Sequence, residues 1–244
     1  LEIDGATDIG AAITDSDLII IDDGGGGTNR KAAVSRLKTY IESSTSTSLN
    51  DLTDALVEDN SVYIGNDPSS TTSAAGCNVA VGTTALDAIT TGDYNTALGH
   101  DALSSNTTGS FNSALGWRAL YSNITGQNNI ALGHDALYNN TQGSLNTAIG
   151  SDALLWNKQG TSNTGVGYQV LLYSETGDGN TALGYRAGDV IQTGSNNTII
   201  GYGADPSANN ASNQIVIGKG ATGQGDNYAV IGNADVTRVY AAQD

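Results

Sequence analysis

Methionine is absent from this chain, cysteine occurs once, and Lys and Arg number 9 against 25 Asp and Glu. Each shortage excludes something. The lone Cys77 rules out an internal disulfide framework and a cysteine-rich metal site, leaving a small buried side chain as its expected role. A formal net charge of -16 supplies no basic footprint, so nucleic acid is excluded as a partner. No apolar run approaches the ~20 residues of a membrane span, which argues against membrane insertion. No segment reads as a signal peptide. Aromatics make up 6%, and Phe, Trp, Leu and Met are too few for a globular enzyme core of 244 residues. With no Met and a start at Leu1-Glu2, the chain is expected to be cut from a longer protein or to begin in a cloning remnant.

Glycine is what the chain has in quantity, and it is in register. Gly65, Gly82, Gly99, Gly116, Gly133, Gly150, Gly167, Gly184, Gly201 and Gly218 each lie 17 residues after the last. A second row follows at the same pitch through Gly92, Gly109, Gly126, Gly143, Gly160, Gly177 and Gly194. The first row closes a phrase Asn-x-(Ala/Gly)-(Leu/Ile/Val)-Gly, seen as NTALG at 95–99, NSALG at 112–116, NIALG at 129–133 and NTAIG at 146–150. A fixed period marks a repeat architecture, and a disordered chain has no cause to hold apolar residues in phase.

Three regions separate. Residues 1–60 lack the period. DLIIIDD at 17–23 reads as a strand, GGGG at 24–27 as a flexible connection, and NRKAAVSRLKTYIE at 29–42 as an amphipathic helix capped by Thr28 or Asn29. SSTSTS at 43–48 is a linker, and 49–60 is a short helix or an extended lead-in. Residues 61–232 are the repeat shaft, with a last turn shortened to 14 residues between Gly218 and Gly232. Residues 233–244 form an exit segment, with VTRVYAAQD at 236–244 read as a strand.

Apolar runs of four or five residues between glycines are too short for helices. The expected fold is all-β: a parallel β-solenoid or β-roll of 17-residue repeats, left-handed and trimeric, with a small N-terminal α/β module. Two short strands per turn are expected, one in NTALG and one in the DAL phrase that follows. Alternation puts Thr96 and Leu98 on one strand face and Asn95, Ala97 and Gly99 on the other. The column Val81, Leu98, Leu115, Leu132, Ile149, Val166, Leu183, Ile200, Ile217 is never polar and is assigned to the interior. Leu86, Leu103, Leu120, Leu137, Leu154 and Leu171 form a second core column. The small stripe Ala80, Ala97, Ala114, Ala131, Ala148, Gly165, Ala182 is expected to meet a neighbouring subunit. Asn95, Asn112, Asn129 and Asn146 are expected to stack as amide ladders, with Gly99, Gly116, Gly133 and Gly150 as the corners. On this reading, leucines pointing outward across 78–201 would remove both the stacked-rung picture and the role drawn from it.

NTALGHDALSSNTTGSFNSALGWRAL resembles repeats in the shafts of bacteriophage tail fibres and related virion proteins. Its N-x-A-(L/I)-G phrase is similar to the head repeats of trimeric autotransporter adhesins, which are trimers of left-handed parallel β-rolls with shorter repeats. DLIIIDDGGGGTNRKAAVSRLKTYI resembles an N-terminal module of virion structural proteins. The resemblance implies a non-enzymatic tail-fibre segment on the extracellular virion. It implies a homotrimer, contact with other tail or baseplate proteins through residues 1–60, and a host cell-surface glycan as receptor. A C-terminal chaperone, common after such shafts, is not among these residues. A bacterial surface adhesin and a polysaccharide-degrading tailspike are the alternatives.

Candidate chemistry is sparse. The position after each glycine reads Thr83, His100, Trp117, His134, Ser151, Tyr168, Tyr185, Tyr202, Lys219. His100, Trp117, His134, Tyr168, Tyr185 and Tyr202 are candidates for stacking sugar rings, with padding of the roll's corner as the plain alternative. Tyr121, Tyr138, Trp156 and Tyr173 form a second set. The next position, Asp101, Arg118, Asp135, Asp152, Gln169, Arg186, predicts a ladder of exposed ion pairs, each worth little. No catalytic residue is assigned, because a regular ladder lacks two acids in different environments. No cofactor and no metal are expected: His100 and His134 lie two coils apart, GDGN at 177–180 lacks a repeated calcium motif, and DDGGGG at 22–27 lacks a phosphate-loop lysine. Ice binding is disfavoured, since Ser113 and Ile130 interrupt the Thr column on the leucine face.

Overall fold

The computed structural model describes residues 18–21, 30–33, 55–58, 60–65 and 75–236. By its internal contacts the chain divides into units 1–52 and 53–244. In the first, strand β1 (Leu18–Ile21) pairs antiparallel with β2 (Arg30–Ala33). The strand expected in DLIIIDD is there. The helix expected over 29–42 is not, at least where it begins: Arg30–Ala33 extends against Leu18–Ile21. Pairing with the β-branched strand Leu18–Ile21 overrides the strong intrinsic helical preference of RKAA. The remainder of that helix, its caps, the glycine run, the linker and the exit strand lie outside the described residues.

The second unit holds one sheet. β3 (Ala55–Glu58), within the segment left between helix and lead-in, is extended and pairs antiparallel with β4 (Ser61–Ile64). From β4 onward each strand pairs in parallel with the next, through β5 (Val79–Val81), β6 (Thr96–Leu98), β7 (Ser113–Leu115), β8 (Ile130–Leu132) and β9 (Thr147–Ile149). The series continues through β10 (Thr164–Val166), β11 (Thr181–Leu183), β12 (Thr198–Ile200), β13 (Ile215–Ile217) and β14 (Ala229–Ile231). Partners are 17 residues apart, as in Thr96↔Ser113, until Ile215↔Ala229 closes the shortened turn. The chain is a parallel β-solenoid. No helix among the described residues is long and apolar enough to cross a membrane.

Each turn carries one three-residue strand, not two. The DAL phrase cannot extend, because Asp101 (φ 59) and Leu103 (φ 54) are both left-handed, a pattern repeated at Arg118 and Leu120 and at Asp135 and Leu137. Non-glycine residues adopt this region at a cost. Stacking sustains it: Leu103 N–H donates to Ala119 C=O at 3.0 Å, and Leu120 N–H to Ala136 C=O at 3.0 Å.

The interior inverts the expected strand facing. Ala80, Ala97, Ala114, Ala131, Ala148 and Ala182 are buried, whereas Leu98, Leu115, Leu132 and Leu183 are exposed, Leu98 by 45%. The small stripe is therefore core and the large apolar column is outside. The coil is thin, and the second leucine column, Leu86 through Leu171, fills it together with Ala85, Ala102, Ala119, Ala136 and Ala153. Only a methyl fits opposite. At Gly165 even a Cβ would lie 3.0 Å from Val170 Cγ1 and 3.5 Å from Leu154 Cδ1, because Val170 occupies the position that is alanine in earlier turns. Small and large residues exchange places to keep the volume constant, as close packing requires.

Two asparagine columns complete the interior. Asn95 Nδ2 donates to Asn78 Oδ1 (3.1 Å) and to Gly109 C=O (2.9 Å), and its backbone N–H donates to the same Oδ1 (2.8 Å). Asn112 and Asn129 repeat the arrangement, and Asn146 keeps the backbone and glycine bonds. The expected amide ladder is thus present and buried. A second one escaped sequence reading: Asn123 Nδ2 donates to Asn106 Oδ1 (2.8 Å), Asn140 to Asn123 and Asn157 to Asn140. Both glycine rows follow from stacking. Gly99 (φ +140) needs left-handed backbone, while at Gly143 a Cβ would lie 2.5 Å from the carbonyl oxygen of Gly160 one coil on. Cys77, expected to be buried, is exposed, as are Tyr94, Phe111 and Leu145 at the same register position of later coils, so this column faces outward.

Candidate functional site

The post-glycine residues project at the corner where each strand ends, one above another. Tyr185 stacks on Tyr168 (centroids 5.4 Å, planes 17° apart) and on Tyr202 (4.9 Å, 10°). Trp117 meets His134 edge-on at 4.8 Å, and the Arg118 guanidinium lies 4.2 Å over the Trp117 ring. His100 Nδ1 sits 2.9 Å from Asp101 Oδ2. The candidates are therefore brought together as a column in two stretches, with Ser151 between. The geometry limits what they can stack. Tyr185 has a ring on either face, so a sugar meets the column at its ring edges or at the outer faces of Tyr168 and Tyr202. The second aromatic set splits: Tyr121 and Tyr138 stack at 5.0 Å and 5°, whereas Trp156 and Tyr173 occupy the next position along the coil. A further stacked pair, Tyr94 and Phe111 at 5.0 Å and 9°, was not anticipated.

The charged column is less regular than predicted. Arg118 bonds Asp135 at 2.6 Å, but Asp101 accepts from Thr84 Oγ1 rather than pairing with Arg118. Arg186 turns to its own coil and bonds Asp189 through Nε at 2.6 Å. His134, Asp135 and Asp152 offer ligand atoms within 4.8 Å of one another, a grouping of one histidine with two carboxylates and not of the two histidines. The position is already served by Arg118, whose guanidinium reaches Asp135 and also lies 4.9 Å over Tyr138.

Two concavities matter. The first is an apolar groove of about 250 Å³ on the outward strand face, lined by Thr96, Leu98, Ser113, Leu115, Ile130 and Leu132 over the buried alanines. The second, about 270 Å³, opens where the inner leucine column ends. The register position of Leu171 is taken by Gly188 one coil later and by Asp205 after that, and Ile199 and Ile191 fill the core instead. The charged column also stops, because Gly203 stands where Arg186 stood. Tyr185, Arg186, Asp189, Tyr202, Gly203 and Asp205 line the resulting cleft. Asp189 is buried, Asp205 half-buried with its Oδ1 enclosed and unpartnered. Burial foremost, and then the Asp189 charge, raise the Asp205 carboxyl from its ordinary value to about 6; the backbone N–H groups of Val190 and Asp189 and the Arg186 charge oppose this. The one sign available in the sequence was the loss of leucine at 188 and 205 from an otherwise constant column.

Comparison of the chain with protein-family models, with curated proteins and with solved structures finds no match.

Proposed function

We propose that this chain is a non-catalytic shaft segment of a bacteriophage tail fibre, assembled as a homotrimer through the outward strand face. The observation that carries the reading is that face itself. Val79, Leu98, Leu115, Ile130, Leu132, Leu183 and Ile215 are large, apolar and exposed in one chain. By the strand register Leu98, Leu115, Leu132 and Leu183 belong to one apolar column that runs from Val81 to Ile217, while Val79, Ile130 and Ile215 stand in the column beside it, which is otherwise threonine and serine. A contiguous apolar strip of this kind marks an interface, and a surface repeating at every coil is matched best by another copy with the same pitch. The 250 Å³ groove between the columns accepts side chains from such a copy.

The role no longer rests on inward leucines. The rungs are held by alanine, the second leucine column and asparagine, which frees the outer leucines for association. Residues 1–60 couple the shaft to other tail or baseplate proteins, and the corner column contacts the host surface. The test is a pair of substitutions on the exposed face, Leu115→Arg with Leu132→Arg. Sedimentation should find the unaltered chain at three times 24.8 kDa and the double variant as a folded monomer. A double variant that remains trimeric would remove the assigned interface.

A further inference from the structure

We propose that the cleft at the end of the inner leucine column binds one hexose residue of a neutral glycan, with Asp205 and Arg186 engaging its hydroxyl groups. The cleft goes beyond the shaft reading and stands for a monomer or a trimer alike. Its origin is a deliberate break in the repeat: Gly188 and Asp205 replace leucine, and Gly203 replaces a charged side chain. A Cβ at Gly203 would meet nothing within 4 Å, so the space above Arg186 is open.

The lining selects the ligand class. An enclosed carboxylate oxygen without a partner calls for a donor, and Asp205 Oδ1 is one. Arg186 bonds Asp189 through Nε, which leaves its terminal amino groups as donors towards the opening. Donor and acceptor side by side suit vicinal hydroxyls, each of which both gives and takes a hydrogen bond. The Arg186–Asp189 pair is internally neutral, which leaves Asp205, its carboxyl raised to about 6 chiefly by burial, as the single uncompensated acid of the lining, too few for a metal ion and the wrong sign for an anion. That balance favours a neutral polyol over a metal ion or an anion. Tyr185 and Tyr202 give the cleft an apolar border, as sugar C–H faces prefer. At about 270 Å³ the space falls below the ~300–1,000 Å³ of pockets for drug-sized ligands and suits a single ring. Arg186 keeps Asp189 engaged, so the pair of acids is arranged to hold a sugar and not to cleave one.

Saturation-transfer NMR on the full chain tests this, with methyl glycosides of glucose, galactose, mannose and N-acetylglucosamine as probes at millimolar concentration. The account expects transfer to at least one glycoside, weakened about tenfold or more by Asp205→Ala and by Gly203→Asn, and unchanged in Phe111→Ala. Asparagine tolerates the left-handed backbone at 203 (φ +57) and takes up space in the cleft while leaving both acids in the sequence. Melting curves confirm that each variant folds. No transfer to any glycoside, retention in either cleft variant, or equal loss in Phe111→Ala overturns the proposal. Release of reducing ends from a glycan polymer built from the bound sugar also overturns it, by making the cleft catalytic.

Discussion

Three successive coils of the shaft carry a pair of leucines with opposite fates, Leu98 and Leu103, Leu115 and Leu120, Leu132 and Leu137. Leu103 and its equivalents lie inside, fully enclosed, on left-handed backbone; Leu98 and its equivalents lie outside on regular strand. Hydrophobicity alone does not tell them apart. What separates them is the neighbour across the coil: the inner leucine faces a column of alanines, and the outer one is exposed on the far side of the strand among the described residues. A strand whose small residues point inward and whose large ones point outward has its packing partner elsewhere. The difference assigns the inner leucines to folding and the outer ones to association.

That assignment can be broken most forcefully at the asparagine ladder, the polar counterpart of the inner column. Asn129→Ala strands Asn146 N–H in the core and removes the amide's bonds to Asn112 Oδ1 and Gly143 C=O, and should cost about 4 kcal/mol in the folding of the chain, read by denaturant unfolding. Leu120→Ala should cost about 3 kcal/mol by leaving a cavity, whereas Leu115→Ala should alter chain folding little and weaken association instead. Equal effects of the two leucine substitutions on an isolated chain would erase the distinction. A finer probe uses the local exchange at Gly165 and Val170. Gly165→Ala alone should destabilise by about 1 kcal/mol through the contact with Val170 Cγ1, and adding Val170→Ala, which restores the usual pattern, should recover it. Additive losses would show that the two sites do not compensate.

The smallest effect lies where the inner column ends. Asp205 holds its proton more tightly folded than unfolded, so its contribution to stability is full at low pH. It falls as pH rises from about 4 through about 6, and stays low above. At this half-buried position, solvent screening reduces the effect to about 1 kcal/mol. Asp205→Asn should flatten that part of the stability curve; a curve of unchanged shape would place the titration elsewhere.

The repeat and its solenoid were legible because glycine at 99 or 143 is dictated by backbone alone, through a left-handed corner or a close approach between coils. The Asn95 ladder was legible for a similar reason: a constant amide at fixed pitch has few other uses. The facing of the strand was not, because alternation gives two faces without saying which is inside, and bulk favours the leucine face where a thin coil admits only alanine. Leu103 misled in the other direction, since nothing in DAL signals left-handed backbone at a leucine, and a second strand was expected. The second ladder at Asn106 was hidden among SSNTTG, a stretch that reads as loop. The aromatic column was found by pitch, but that its rings stack on one another depended on the coil spacing. The cleft was visible only as an irregularity at Gly188, Gly203 and Asp205, which a search for regularity passes over.

The central claim is that the outward leucine columns are buried between copies of this chain. Sedimentation equilibrium of the purified protein tests it most directly. A single species at three times 24.8 kDa is predicted, and a monodisperse 24.8 kDa species that stays folded with those columns in water would contradict it.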